Sequence, residues 1–166
     1  MKVNSLGIVD GVIADRYGKR GDLDEYGVST CSLPLSFTDV PNGTKTISVV
    51  IEDKDAIPIS GGFSWIHWVV ANIKSTSIPE NASRSNPDFV QGLNSYISVQ
   101  GGSLPKEACA FYAGMAPPDA PHYYEIHAYA LSCELALSDG FYMNEMYHKM
   151  FDHILASNTI RGLYAN

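Results

Sequence analysis

The segment Trp65–Ile73, WIHWVVANI, constrains the fold more than any other part of the sequence. It is apolar at almost every position, yet far shorter than the run of about 18 apolar residues that suggests a membrane-spanning helix. A strand that is apolar on both faces needs cover on both faces. The segment therefore predicts a β-strand at the centre of a sheet or between two layers.

Two further strands and one helix are visible in the hydrophobic periodicity. Thr46–Asp53 and Tyr124–Leu131 alternate with the period of two that is typical of strands. Met143–Leu155 repeats apolar residues at helical spacing, with Ser138 or Asp139 as its cap, and its stripe indicates packing on a core. Short strands separated by Pro and Gly turns favour an antiparallel β-sandwich. We therefore predict a mainly β fold with one or two peripheral helices.

Length, composition and charge limit the classes of function. The 166 residues correspond to a single domain, 1–166, and the 45% hydrophobic content is enough for a core without disulfides or metal. The chain has 11 basic and 18 acidic residues and a net charge of −7. Because no basic cluster offsets this charge, nucleic acids and anionic membrane surfaces are not expected partners.

The cysteines and the N-terminal residues bear on localisation. Met1–Asp10 lacks an apolar stretch of secretory length, so we expect no signal peptide. Cys31, Cys109 and Cys133 are odd in number and widely spaced, which argues against a disulfide framework and against a zinc site. We therefore expect a cytoplasmic protein that does not insert into membranes, has free thiols and needs no cofactor or metal.

The first segment with candidate chemistry joins two carboxylates to a histidine. Asp53 and Asp55 lie where one predicted strand ends, and His67 lies on the next. A carboxylate beside a histidine fixes its tautomer and favours its charged form, which can donate hydrogen bonds to an anion. From this segment alone, solvated carboxylates beside a core histidine remain an equal alternative.

The second segment is a proline-rich loop that leads into a strand. Pro117 and Pro118 stiffen the loop, which precedes His122 and Tyr124. A stiff loop can orient these side chains with little ordering cost on binding. Taken alone, the pattern favours a structural connection with a partly exposed histidine.

Together the two segments carry a resemblance to a known family. The chain has DKDAIP at 53–58, HWVVANI at 67–73, GMAPP at 114–118 and HYY at 122–124, in this order. This series resembles the signature regions of the phosphatidylethanolamine-binding protein family, also called Raf-kinase-inhibitor-like, in its bacterial and archaeal branch. The likeness extends from about residue 30 to the end. Lys54, Ile57 and Met115 depart from the family pattern, which leaves the loop geometry and ligand choice open.

The resemblance implies a Greek-key-like β-sandwich with a pocket for small anions and phosphoryl head groups at one end. It implies no catalytic residue, and some members of the branch are dimers, so a homodimer stays open. The ligand-binding residues that it implies are Asp53, Asp55, His67, Ala116, Pro117, Pro118, His122 and Tyr124.

Two roles for the acidic residues stay open. Asp53 or Asp55 could keep His67 charged and oriented toward an anion. Alternatively, a carboxylate could bind the ammonium of a zwitterionic ligand while His67 and His122 contact its phosphate. The sequence does not separate these roles.

Three functions follow, from different classes. The first is an anion-binding module that regulates a protein partner. The second is an inhibitor of a protease or kinase that acts by direct protein contact. The third is a weak hydrolase that uses Asp/His pairs for acid–base catalysis, although the sequence has no evident activated nucleophile or metal set. The first is our prediction.

Overall fold

A computed structural model describes residues 1–85 and 88–166. Strands predominate in it. They are β1 Lys2–Asn4, β2 Ile8–Val9, β3 Val12–Ile13, β4 Leu35–Thr38, β5 Thr46–Asp53, β6 Trp65–Ile73, β7 Ser77–Ile78, β8 Val90–Gln91, β9 His122–Leu131 and β10 Ile154–Tyr164.

The helices are short. They are α1 Ile57–Ser60, α2 Lys106–Cys109 and α3 Met143–Met150, with 3-10 turns at Asp15–Tyr17, Ser95–Ile97 and Phe151–His153. Along the described parts of the chain, no helix has the length and apolar character needed to cross a membrane.

The strands form two sheets. A three-stranded sheet has the order β1-β4-β7, and a seven-stranded sheet has the order β2-β3-β10-β9-β5-β6-β8. Most neighbours are antiparallel, but β3 runs parallel to β10. The prediction of a mainly β, sandwich-like fold is confirmed, with the correction that the large sheet is mixed rather than wholly antiparallel.

The large sheet is covered on both faces, as its central strands require. Val49 and Ile51 of β5 face the small sheet and share a core with Phe37 of β4. Val50, between them, faces the other way and packs with Met146 and other residues near α3. The residues of β5 therefore contribute to two separate apolar clusters, one on each face of the sheet.

The predicted helix over Met143–Leu155 is too long by about one turn. α3 ends at Met150, a 3-10 turn follows, and Ile154 and Leu155 already belong to β10. Met146 and Met150 are buried as the stripe predicts, whereas Phe151 is 77% exposed. The helix begins after Tyr142, whose amide donates to the Glu145 carboxylate, and not after Ser138 or Asp139.

Strand β10 joins the two ends of the fold. It pairs with β9 along its length, and near its end Leu163 pairs with Val12 of β3. The Val3 amide of β1 donates to the Asn158 Oδ1 atom at 2.8 Å. Residues near the beginning of the chain thus form hydrogen bonds with its last strand.

The three cysteines are free, in agreement with the prediction from their number and spacing. Cys109 is buried, and Cys31 and Cys133 are half-buried.

Candidate functional site

His67 lies at an irregularity in the pairing of β5 with β6. Ile51 pairs with Trp68, but the next residue, Glu52, pairs with Ile66, so His67 is the extra residue of a β-bulge. A bulge turns a side chain away from the direction that regular alternation would give it, and bulges are common beside functional sites. The bulge directs His67 into the interior of the fold, where it is 3% exposed.

The backbone fixes the tautomer of His67. Its Nδ1 atom lies 2.8 Å from the Ala113 carbonyl oxygen, which can only accept, so Nδ1 carries a proton. Burial lowers the pKa of His67, although the carbonyls of Ala113 and Gly114 and the charge of Asp53 oppose the shift. The neutral imidazole therefore presents an unprotonated Nε2 atom, a hydrogen-bond acceptor.

Asp53 and His122 form a buried ion pair. The Asp53 Oδ2 atom accepts from His122 Nδ1 at 2.8 Å, and its Oδ1 accepts from the Ala56 amide at 3.1 Å. The second ring nitrogen of His122, Nε2, donates to the Asp119 carboxylate at 3.0 Å. Burial disfavours the charged form, but the hydrogen bonds and charges of Asp53 and Asp119 outweigh it and raise the pKa of His122.

This pairing corrects the expected role of the carboxylates. One of the two roles that the sequence left open had Asp53 or Asp55 keep His67 charged, but Asp53 hydrogen-bonds His122, and the pKa of His67 is lowered. The reason is the strand order, because Asp53 pairs with Tyr124, two residues from His122. Asp55 is exposed and accepts from the Tyr123 amide at 2.8 Å.

A cavity of about 290 Å³ opens at this end of the large sheet. Five of the eight predicted residues line it, together with six that were not predicted. The lining residues are Asp53, Ala56, Ile59, Ser60, Trp65, His67, Tyr96, Gln100, Ala116, Pro118 and Tyr124.

Three predicted residues do not line the cavity. His122 lies behind Asp53 with both ring nitrogens bonded to carboxylates. Asp55 points to solvent, and Pro117 is buried, with its carbonyl accepting from Lys19 Nζ at 2.7 Å. These residues support the loops around the cavity.

The lining residues that were not predicted from the sequence include two aromatic side chains, Trp65 and Tyr96. The Trp65 ring meets Tyr96 edge-on at 5.4 Å between centroids and stacks with Phe63 at 6.1 Å. Trp65 could have been found, because it lies two residues before His67 and shares its strand. Tyr96 and Gln100 come from a loop after β8, for which the sequence has no comparable signal.

Among the described residues that line the cavity, Tyr124 has a buried hydroxyl without a clear hydrogen-bond partner. Tyr124 is fully buried, and its oxygen makes no hydrogen bond of ordinary geometry to any residue of 1–85 or 88–166, although the Asp53 carboxylate and the Ala116 backbone lie near it. Burial, and to a lesser extent the charge of Asp53, raises its pKa, so the phenol stays neutral and can donate. A buried hydroxyl without a partner usually marks the place of a ligand or an ordered water.

The cavity contains no fixed positive charge. Among the described residues that line it, none is a lysine or an arginine. His122 lies behind Asp53, and both of its ring nitrogens already contact carboxylates, those of Asp53 and Asp119. The polar groups of this cavity therefore offer hydrogen bonds rather than a net positive charge.

A second polar cluster lies on the outer face of the large sheet, outside the cavity. The Nε2 atom of His127 lies 3.1 Å from Glu52 Oε1 and 3.2 Å from Glu125 Oε2, a set that could ligate a metal. However, Lys54 also contacts both carboxylates. Lys54 and the His127 ring thus provide partners for both carboxylates, so we interpret the cluster as a network of ion pairs and hydrogen bonds.

A larger groove of about 700 Å³ is remote from these residues. It runs between β4 and β7 and the segment around Phe89, and its lining includes none of the predicted site residues. Size alone does not identify a site, and the convergent polar groups lie in the smaller cavity.

The two histidines make the stability depend on pH with opposite signs. His122 contributes stability that is complete below the ordinary histidine pKa of 6.5 and is lost as the pH rises through its raised pKa in the folded state. For His67, whose folded pKa is lowered, stability is lost as the pH falls below 6.5.

We expect His122→Gln to remove most of the decrease in the free energy of unfolding that the wild type shows on the alkaline side, measured by urea unfolding between pH 5 and 9. The control is His148→Gln, at an exposed position of α3; an unchanged alkaline slope in His122→Gln would contradict the ion pair.

Comparison with known proteins relates the chain to one family. The family model described as phosphatidylethanolamine-binding protein matches residues 7–165. YxkA of Bacillus subtilis is 43% identical over 155 residues, which cover 90% of this chain and 91% of that protein. A UPF0098 protein of Chlamydia trachomatis is 34% identical over 134 residues, which cover 80% of this chain and 81% of its own length.

Two solved structures share the fold over almost the whole chain. CT736, a phosphatidylethanolamine-binding protein homologue from Chlamydia trachomatis, has a TM-score of 0.80 at 29% identity, covering 99% of this chain and 97% of that chain. YbcL of Escherichia coli, described as a member of the mammalian PEBP family, has a TM-score of 0.76 at 25% identity, covering 99% and 98%.

Proposed function

The chain belongs to the phosphatidylethanolamine-binding protein family, and from that premise we propose that it is a binding module for small anions and phosphoryl head groups. We further propose that occupancy of the cavity regulates a protein partner, and that the protein acts in the cytoplasm.

One observation carries the proposal: the unpartnered Tyr124 hydroxyl in a cavity that also contains His67. Tyr124 offers a donor, and His67 offers its Nε2 atom. Their rings meet edge-on with centroids 5.1 Å apart, so the two groups lie side by side in the cavity wall. The small volume of the cavity favours a head group over an extended ligand.

The walls of the cavity suit the organic part of a phosphate ester. Trp65, Tyr96 and Ile59 provide aromatic and aliphatic surface, and Trp65 lies opposite Asp53 in the pairing of β5 with β6. Ile59 and, next to Gln100, Val99 are exposed, at 48% and 84%. We propose these two exposed apolar residues as contacts for a protein partner. This observation also keeps inhibition by direct protein contact as a second candidate function.

We propose a binding protein rather than a hydrolase. Ser60 is the serine among the described lining residues and so the candidate nucleophile. Its Oγ atom contacts the Phe63 and Ile57 carbonyls. No histidine hydrogen-bonds to it within the described residues, so nothing there activates it as a nucleophile.

The proposal predicts that Tyr124→Phe weakens binding of phenyl phosphate by about tenfold or more, because one hydrogen bond to a charged group contributes about 1.5–3 kcal/mol. Isothermal titration calorimetry at pH 6 measures the change. Tyr123→Phe is the matched control, since it removes a hydroxyl from the adjacent, 44% exposed residue. Equal affinity of the wild type and Tyr124→Phe would contradict the role of Tyr124, and no binding by the wild type would contradict the proposed function.

A further inference from the structure

We propose that the cavity selects oxyanions that still carry one proton, such as phosphate monoesters in their singly charged form. In this arrangement the P–OH group donates to His67 Nε2, and the Tyr124 hydroxyl donates to another phosphoryl oxygen. The inference rests on the proposed function, because it names the class of anion that the same cavity takes.

The first step of the argument is the fixed orientation of His67. Because Nδ1 must donate to the Ala113 carbonyl, the ring cannot exchange its tautomer without losing that buried hydrogen bond. Nε2 therefore lacks a proton unless the whole ring becomes charged. No hydrogen bond of ordinary geometry joins Nε2 to the described residues, although the Gly114 carbonyl lies near the ring, and this leaves Nε2 as the ring atom that a ligand can meet.

The second step is the cost of charging the ring. His67 is 3% exposed, and burial disfavours the imidazolium, as the lowered pKa reflects. The titratable groups that face it are Asp53 on β5, His122 and Tyr124 on β9, and Tyr96 from the loop after β8. Asp53 favours a charged His67, but its charge is already paired with His122, which opposes a second positive charge.

The third step is the match between the cavity and a protonated anion. One acceptor, His67 Nε2, and one donor, the Tyr124 hydroxyl, fit a ligand that has both an O–H group and a free oxygen. A fully deprotonated anion has only acceptors, so one of its oxygens would face the lone pair of Nε2. A dianion would also enter an apolar-walled cavity without a lysine or arginine among its described lining residues, where an unbalanced charge is costly.

The test compares ligands of equal size that differ in this proton. Phenyl phosphate loses its second proton near pH 6, whereas phenyl sulfate is singly charged without a proton over the whole range. At pH 6 we expect phenyl phosphate to bind at least tenfold more tightly than phenyl sulfate. Above pH 7 its affinity should fall about tenfold per pH unit, because each complex must take up one proton. Calorimetry at pH 8 in two buffers of different ionisation enthalpy measures that uptake directly.

A second pair of probes separates a free phosphate ester from a lipid head group. Phosphoethanolamine is a monoester that can keep a proton, and glycerophosphoethanolamine is a diester that cannot, while both have the same ammonium group. We expect the monoester to bind at least tenfold more tightly at pH 6. Equal or tighter binding of the diester would overturn the inference and favour a lipid source.

The outcomes separate this inference from the proposed function. Affinity for phenyl phosphate that is constant or rises from pH 7 to 9, or equal affinity for phenyl sulfate at pH 6, overturns the proton selection but leaves anion binding intact. If none of the four ligands binds between pH 5.5 and 9, the proposed function itself fails. The comparison uses the wild-type protein, so it does not depend on whether a variant folds.

Discussion

Replacing Met150 by aspartate is expected to lower the free energy of unfolding by about 4 kcal/mol. Met150 is 1% exposed and lies in the apolar cluster between α3 and the outer face of the large sheet, with Leu131 and Val69. The variant would bury a carboxylate among these side chains without a partner, which is one of the few single changes with so large a cost.

The adjacent residue provides the control for this variant. Phe151 follows Met150 directly but is 77% exposed, so Phe151→Asp should change stability by no more than about 0.5 kcal/mol. Urea denaturation of both variants at pH 7, followed by circular dichroism, measures the difference. A Met150→Asp protein as stable as the wild type would show that α3 does not pack on the sheet.

The second large effect is expected for Asp53→Ala, which should cost about 3 kcal/mol because it breaks a buried ion pair. His122 would keep Asp119 but lose its shorter hydrogen bond, and the Ala56 amide would lose its acceptor. The loss should be smaller at a pH above the raised pKa of His122, since the remaining imidazole is then neutral.

Asp55→Ala is the matched control for Asp53→Ala. Asp55 lies two residues further along and also accepts a backbone hydrogen bond, from Tyr123, but it is exposed. Its loss should therefore cost no more than about 1 kcal/mol. Thermal or urea unfolding of the two variants at pH 6 and pH 9 decides the matter. Equal costs for both, independent of pH, would contradict a charged His122 in the folded protein.

The elements with strong periodicity could be predicted from the sequence. Strands β5, β6 and β9 lie in the middle of the large sheet, so burial selects their apolar residues directly. Strand β10, ILASNTIRGLY, could not be recognised, because it is only partly buried and mixes small, polar and charged residues. Its strand conformation comes from pairing with β9, an interaction between distant segments that local propensity does not encode.

The candidate site was predictable in its members but not in their contacts. The motifs located Asp53, His67 and Tyr124, and all three line the cavity. Which histidine bonds to Asp53 depends on the strand order and on one extra residue in β6. A one-residue register shift leaves little trace in a sequence, yet here it decides which imidazole has a raised pKa and which has a lowered one.

The position of β10 also has a consequence for how the chain folds in time. The hydrogen bond from the Val3 amide to Asn158 spans 155 positions, and the large sheet is complete only when Leu163 pairs with Val12. Topologies dominated by such distant pairings fold slowly, in roughly milliseconds to seconds. Until β10 arrives, one edge of β9 remains open, and open edges readily pair with other chains. Losses during refolding at high protein concentration should therefore depend on the rate of this last closure more than on the stability of the finished fold.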